Sequence, residues 1–212
     1  MCLFVEKNLV VHGRIVNQIK LKAPLASPTF TGTATMGAGV PAITISDYMQ
    51  LNPLGCIIPV TDAAGINFDE TTTNKNNYVY GIFTQAGVGV KRLQWKQTLK
   101  EDWKTDGTIT LKVHWTVKTG TVGHKIKWEL LCKQLADGES LDTALVSLGT
   151  IEDAILGNEY LHITTAITPA AISGAAGSEV IFELRRITSA ATETSEDGRY
   201  LDGSVKYTRT LA

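Results

Sequence analysis

The sequence lacks closely spaced cysteines, an excess of one charge and any long apolar run. Its three cysteines, Cys2, Cys56 and Cys132, form no CxxC pair, so it predicts neither a zinc site nor a redox pair. The formal net charge of −1 argues against a nucleic-acid partner, which needs a clustered basic face. No apolar run reaches the roughly 18 residues that span a bilayer, so we predict no membrane insertion. Glu6, Lys7 and Asn8 interrupt residues 1–11, so we predict no signal peptide.

Motifs for catalysis and cofactor binding are also missing. The four histidines, His12, His114, His124 and His162, are too far apart for a local metal pattern. No G-x-S-x-G elbow, phosphate-binding glycine loop or calcium loop is present. We therefore predict no catalytic residue, no metal, no cofactor and no enzymatic activity. A depolymerase with two carboxylates facing a cleft is the enzymatic alternative.

The sequence does contain segments that alternate apolar and polar residues, the pattern of half-buried strands. All four tryptophans lie between Leu93 and Lys133, and Trp115 and Trp128 fall in phase with the apolar face, which predicts core positions. Eight strands are predicted, at residues 78–84, 90–99, 108–118, 124–134, 143–151, 159–166, 179–187 and 199–208. This pattern favours an all-β fold, an eight-stranded jelly-roll sandwich, with an up-and-down barrel as the alternative.

The first part of the chain differs from this β region. Residues 22–33 are rich in Pro, Thr and Ser, which excludes a helix, and residues 34–77 carry few charges and little periodicity. Only short strands are predicted in residues 34–77, around 42–45 and 55–60. Within the β region, a short helix is the alternative at residues 140–145. We therefore divide the chain into an extended N-terminal attachment arm and interchain stem, residues 1–77, and a jelly-roll β-sandwich domain, residues 78–212.

Two stretches resemble proteins of tailed bacteriophages. The run APLASPTFTGT, residues 23–33, resembles a segment that recurs in tail-fibre and related fibrous virion proteins, which are elongated homotrimers. Residues 78–208 are similar to a jelly-roll family found in tailed-phage genomes, through Trp103, the TITLKVHWT strand, Trp128 and the late DGRYLDGSVKYTR run. Lys125, Lys127 and Lys133 depart from that pattern, which puts a shared binding surface in doubt but not the fold.

The resemblance implies a structural protein of a bacteriophage virion: a homotrimeric, capsid-attached fibre or decoration (cement) protein that exposes its jelly roll. Its partners would be two further copies of itself and other virion proteins of the capsid or tail. It would be made in the bacterial host cytoplasm and lie on the virion surface. The attachment or interchain residues would be Pro24, Leu25, Pro28 and Phe30.

The alternative is a tail-fibre subunit or adhesin whose jelly roll binds a host-surface glycan. Trp95 is the candidate for stacking on a sugar, since it lies beside Lys96 near the start of the β region. Such an adhesin needs exposed aromatic side chains and converging polar groups in a shallow groove.

Overall fold

The computed structural model describes residues 43–85, 90–103, 109–167, 176–189 and 192–211. A short 3-10 helix, Pro53–Gly55, follows the first strand, and no helix in the described part is long and apolar enough to cross a membrane. The strands are β1 Ile43–Gln50, β2 Gly65–Glu70, β3 Asn77–Phe83, β4 Arg92–Thr98, β5 Thr110–Thr116, β6 Lys125–Leu135, β7 Val146–Ala154, β8 His162–Ile163, β9 Glu179–Ile187 and β10 Gly198–Leu211.

The strands form two antiparallel sheets. The larger sheet has the order β2-β3-β10-β5-β8, and the smaller sheet has the order β4-β9-β6-β7. Within them, β3 to β10 have the four-plus-four order of a jelly roll, β3-β10-β5-β8 facing β4-β9-β6-β7. The prediction of an all-β, eight-stranded jelly-roll sandwich is confirmed, since β3 to β10 correspond to the eight predicted strands. An up-and-down barrel is excluded because β10 lies between β3 and β5.

Two further strands extend the larger sheet. β1 pairs with the second half of β10, with Ile43 opposite Leu211 and Gln50 opposite Ser204, and β2 pairs with β3. Residues 43–50 and 65–70, which the sequence placed in the stem, are thus hydrogen-bonded into the jelly-roll sheet. Residues 41–212 form one compact unit. The attachment role of residues 1–77 stays a prediction.

The core lies between the two sheets and is centred on aromatic side chains. Trp115 and Trp128 are fully buried, which confirms their predicted core positions. Their ring centroids are 6.2 Å apart in an edge-to-face arrangement, and Phe83 meets Trp128 at 5.2 Å with an interplanar angle of 84°. Edge-to-face rings of this kind contribute packing energy beyond the area that they bury.

Three local predictions differ from the structure. Residues 55–60 form no strand and contribute only a single bridge, from Ile57 to Gln94 on the outer edge of β4. The strand predicted at 159–166 is only two residues long, His162–Ile163. Residues 140–145 form no helix: Ser140 Oγ accepts a hydrogen bond from the Asp142 amide, and its carbonyl accepts one from the Thr143 hydroxyl. Such local bonds compete with helical ones.

Candidate functional site

The outer face of the larger sheet carries a groove. Trp115 and Tyr200 are fully buried in the core, so the adjacent Thr116 and Arg199 point to the opposite face of the sheet. A cavity of about 230 Å³ lies on that face. We call it the outer-face groove, and its lining residues are Thr71, Tyr78, Thr116, Glu159, Leu161 and Leu201.

Arg199 connects the strands beneath this groove. It pairs in register with Ile82 on β3 and with Thr116 on β5, so its side chain rises from the middle of the sheet. Its guanidinium donates a 2.7 Å hydrogen bond to the Tyr78 hydroxyl and another hydrogen bond to the Asp69 carboxylate. These bonds fix the position of the Tyr78 hydroxyl at the groove.

A second ion pair holds the opposite wall. Lys118 Nζ lies 2.8 Å from the Glu159 carboxylate and 3.5 Å from that of Asp69. The Glu159 carboxylate also accepts hydrogen bonds of 2.9 Å from both the amide and the hydroxyl of Thr72. Glu159 adopts a left-handed backbone conformation with φ of 58°, which turns the chain so that the carboxylate reaches the β2–β3 hairpin.

These contacts determine the protonation state of two carboxylates, those of Asp69 and Glu159. The hydrogen bond from Arg199 lowers the pKa of Asp69 to about 2, and the hydrogen bond from Lys118 lowers the pKa of Glu159 to about 2. Both carboxylates are therefore ionised at neutral pH. A general acid for glycoside hydrolysis requires a raised pKa, so neither group is tuned to donate a proton. Each can accept hydrogen bonds from a bound hydroxyl or ammonium group.

The groove is small. Its volume of about 230 Å³ lies below the roughly 300–1,000 Å³ of pockets for drug-sized ligands. A wider depression of about 530 Å³ adjoins it and shares Tyr78. That depression is also lined by Leu54 and Phe68, which are 66% and 76% exposed. Together the two hollows offer a small, mostly apolar groove beside a wider depression with exposed apolar side chains.

Trp95 lies elsewhere, in the core. Its side chain is 1% exposed, its ring packs 5.5 Å from that of Tyr200, and its indole N–H donates a 2.9 Å hydrogen bond to the Asn52 carbonyl. The prediction that Trp95 stacks on a glycan is corrected accordingly, because no ring face is free. Trp103 and Tyr200 are also buried. The aromatic ring at the groove is that of Tyr78.

The remaining predicted sites are placed as follows. Pro24, Leu25, Pro28 and Phe30 lie outside the described residues. Among the residues that the structure describes, no group of three or more His, Cys, Asp and Glu side chains could hold a metal ion. Sequence reasoning did not identify Tyr78, Glu159 or Arg199 as neighbours, since they are distant in the chain.

Comparisons with known proteins show no family for the chain. No family model matches it, and no curated protein matches it. Among solved structures, a carbohydrate-binding module, CBM36 in complex with calcium and xylotriose, is 12% identical, covering 75% of this chain and 98% of that one at a TM-score of 0.37. The enzymatically active domain of tailspike protein 4 of bacteriophage CBA120 is 6% identical, covering 78% and 19% at a TM-score of 0.34.

A third solved structure is an isomalto-dextranase of Arthrobacter globiformis T6 complexed with panose. It is 12% identical, and the match covers 67% of this chain at a TM-score of 0.40. The match spans about a fifth of that enzyme's length. At these identities and TM-scores, none of the three similarities decides a function for this chain.

Proposed function

We propose that the chain is a structural protein of a bacteriophage virion: a homotrimeric, capsid-attached fibre or decoration protein that exposes its jelly-roll domain. The observation that carries the proposal is the order of parts along the chain. An APLASPTFTGT run that resembles fibrous virion proteins, residues 23–33, is followed within about ten residues by the compact unit that begins at residue 41. The run supplies attachment and the jelly roll is presented to solvent.

In this function the chemistry is assembly. Extended segments associate through backbone hydrogen bonds and through burial of apolar side chains among neighbouring chains. Leu25 and Phe30 are the apolar side chains of the run that would be buried in this way. The ion-paired state of Asp69 and Glu159 supports a non-catalytic domain, because both carboxylates are committed to cations of the same chain.

The oligomeric state tests this proposal. Light scattering on the full chain should give about three times 22.9 kDa. The same measurement on residues 41–212 tells whether the N-terminal residues or the jelly roll hold the chains together. A monomeric full chain at micromolar concentration would contradict the homotrimer. Immunogold labelling of phage particles with an antibody against the domain then separates a capsid position from a tail position.

A second candidate function is glycan binding by the jelly roll, and it is favoured by the outer-face groove. Tyr78, Thr116 and Glu159 line this groove together with Leu161. Protein sites for sugars combine such fixed polar groups with apolar surface.

A glycan array with the full chain tests this candidate. If a glycan binds, Leu161→Ala should weaken its affinity by about tenfold, or about 1.4 kcal/mol, because one groove wall is lost. Leu141→Ala is the matched control, since Leu141 is 79% exposed and lies outside the groove. If the two substitutions weaken binding equally, the glycan binds outside the groove. An array on which no glycan binds would contradict this second candidate function.

A further inference from the structure

His162 is buried at the base of the loop that forms one wall of the outer-face groove. It is 1% exposed, and its imidazole stacks on the indole of Trp115 with 4.3 Å between ring centroids and 26° between planes. Its Nε2 accepts a 2.9 Å hydrogen bond from the amide of Leu156. This bond closes the loop of residues 156–162, which we call the His162 loop.

The hydrogen bond defines the protonation state of the ring. Because Nε2 accepts a bond from an N–H group, it carries no proton, and the neutral imidazole holds its proton on Nδ1. Nδ1 is buried without a hydrogen-bond partner among the described residues. A proton added at Nε2 would replace an acceptor with a donor facing the Leu156 amide. It would also create a buried cation, which is unfavourable unless paired.

The groups around the ring offset the cost of a buried imidazolium only in part. Burial lowers the pKa of His162, while the Asp153 carboxylate and nearby backbone groups at Trp115 and Tyr160 oppose that change. Asp153, on β7, already accepts a 2.8 Å hydrogen bond from the Trp115 indole. From β5, His114 alternates with Trp115 and therefore points to the other face of the sheet.

The rest of the loop adds few apolar contacts to hold it closed. Leu156, Tyr160 and Leu161 are 64%, 59% and 57% exposed. The Glu159 amide donates a 2.8 Å hydrogen bond to the Val117 carbonyl. The Glu159 carboxylate binds Lys118 and Thr72, and these contacts are at the exposed surface. The partly buried bond between His162 and Leu156 is thus a main fixed point of the loop.

We propose that His162 is an acid-sensitive latch: protonation of Nε2 breaks its bond to Leu156 and opens the His162 loop, which withdraws Glu159 and Leu161 from the outer-face groove. The groove wall is then intact at neutral pH and displaced in mildly acidic solution. Between the His162 pKa of the open form and that of the closed form, each fall of one pH unit raises the equilibrium constant for loop opening by up to about tenfold. The consequence for ligand binding, though not the latch itself, rests on the second candidate function.

Hydrogen exchange and histidine NMR on the full chain test the latch without any ligand. The protection factor of the Leu156 amide, corrected for intrinsic exchange at each pH, should fall between pH 7 and pH 5, by at most about tenfold per pH unit. The protonation of His162, followed by its ring signals, should coincide with that fall. Unchanged Leu156 protection after His162 is protonated would overturn the proposal.

Three variants separate the latch from general destabilisation. His162→Gln places an amide oxygen near the former Nε2, so Leu156 should stay protected and lose its pH dependence. His162→Asn cannot reach that position, so Leu156 should exchange fast at both pH values. His114→Gln, on the opposite face of the neighbouring strand, should behave as wild type. If His162→Gln retains the wild-type pH dependence, another group is the sensor. Failure of glycan binding on the array would leave these outcomes unaffected.

Discussion

The guanidinium carbon of Arg199 lies 4.7 Å from the centre of the Tyr80 ring, while the same guanidinium binds Tyr78 and Asp69. One side chain of β10 thus holds two tyrosines of β3 and a carboxylate of β2. Its planar group combines stacking with several directed hydrogen bonds, which an ammonium group does not reproduce. The position of the β2–β3 hairpin at the outer-face groove depends on this residue.

Replacing Arg199 with alanine should lower the free energy of unfolding by about 2 kcal/mol, since hydrogen bonds to charged groups and a cation–π contact are lost. Arg199→Lys should recover only a minor part of this. Denaturant unfolding followed by tryptophan fluorescence measures both. Lys206→Ala, at an exposed position of the same strand, is the control and should change little. Full recovery by lysine would show that charge alone matters.

Removal of the Trp115 side chain should be among the most damaging substitutions. Trp115→Ala leaves a cavity between Trp128 and His162 and an Asp153 carboxylate without its indole partner. We expect a loss of about 3–5 kcal/mol. Val122→Ala, at a 67% exposed position, serves as the control in the same thermal or urea unfolding series. Unchanged unfolding of Trp115→Ala would contradict the assigned core.

Acid should weaken the ion pairs of Asp69 with Arg199 and of Glu159 with Lys118. The folded-state pKa values of Asp69 and Glu159 are about 2, below their ordinary values near 4, so the unfolded chain binds more protons between pH 4 and pH 2. The stability from these pairs is complete above about pH 4 and declines as the pH falls towards 2. The urea midpoint should therefore drop over this range.

Lys118→Gln should reduce that drop, because it removes the main cause of the Glu159 shift. Lys206→Gln is the matched charge-neutralising control at an exposed position of β10. If the urea midpoint of Lys118→Gln falls with acid as much as that of the wild type, other carboxylates cause the acid dependence.

Gly203 should tolerate a side chain poorly. A Cβ atom there would lie 2.6 Å from the Tyr200 hydroxyl and 3.3 Å from the Lys112 carbonyl oxygen. The Tyr200 hydroxyl is buried and donates a hydrogen bond to the Leu51 carbonyl, so it has little freedom to move. Gly203→Ala should cost about 1–3 kcal/mol in thermal unfolding. Gly55→Ala, with no atom within 4 Å, should be close to neutral.

The jelly roll was predictable because burial on one face imposes alternation on each strand. The clearest case is β9, whose observed bounds, Glu179–Ile187, equal the predicted ones. Prediction failed where exposed apolar residues imitate this pattern: Tyr160 and Leu161 extended the predicted strand, although both lie in the loop before β8. β2 was missed because Gly65–Glu70 is short and half polar and depends on β3 for its pairing.

The groove could not be predicted from the sequence for a different reason. Tyr78 and Arg199 are 121 residues apart, and Thr72 and Glu159 are 87 apart, so no local spacing signals that they meet. Trp95 was placed wrongly because the adjacent Lys96 suggested exposure, whereas its alternation with the buried Leu93 indicates the core. The alternation of residues along β4 was the better guide to the position of Trp95.

The pairing of β1 with the end of β10 also sets how the domain bears load. Ile43 lies opposite Leu211, so the strand that enters the domain and the strand that leaves it meet side by side. Tension applied between these two points would separate the antiparallel pair like a zipper, one hydrogen bond after another, rather than shear all of its bonds at once. A chain anchored at Ile43 is therefore mechanically weak when the external pull acts at Leu211.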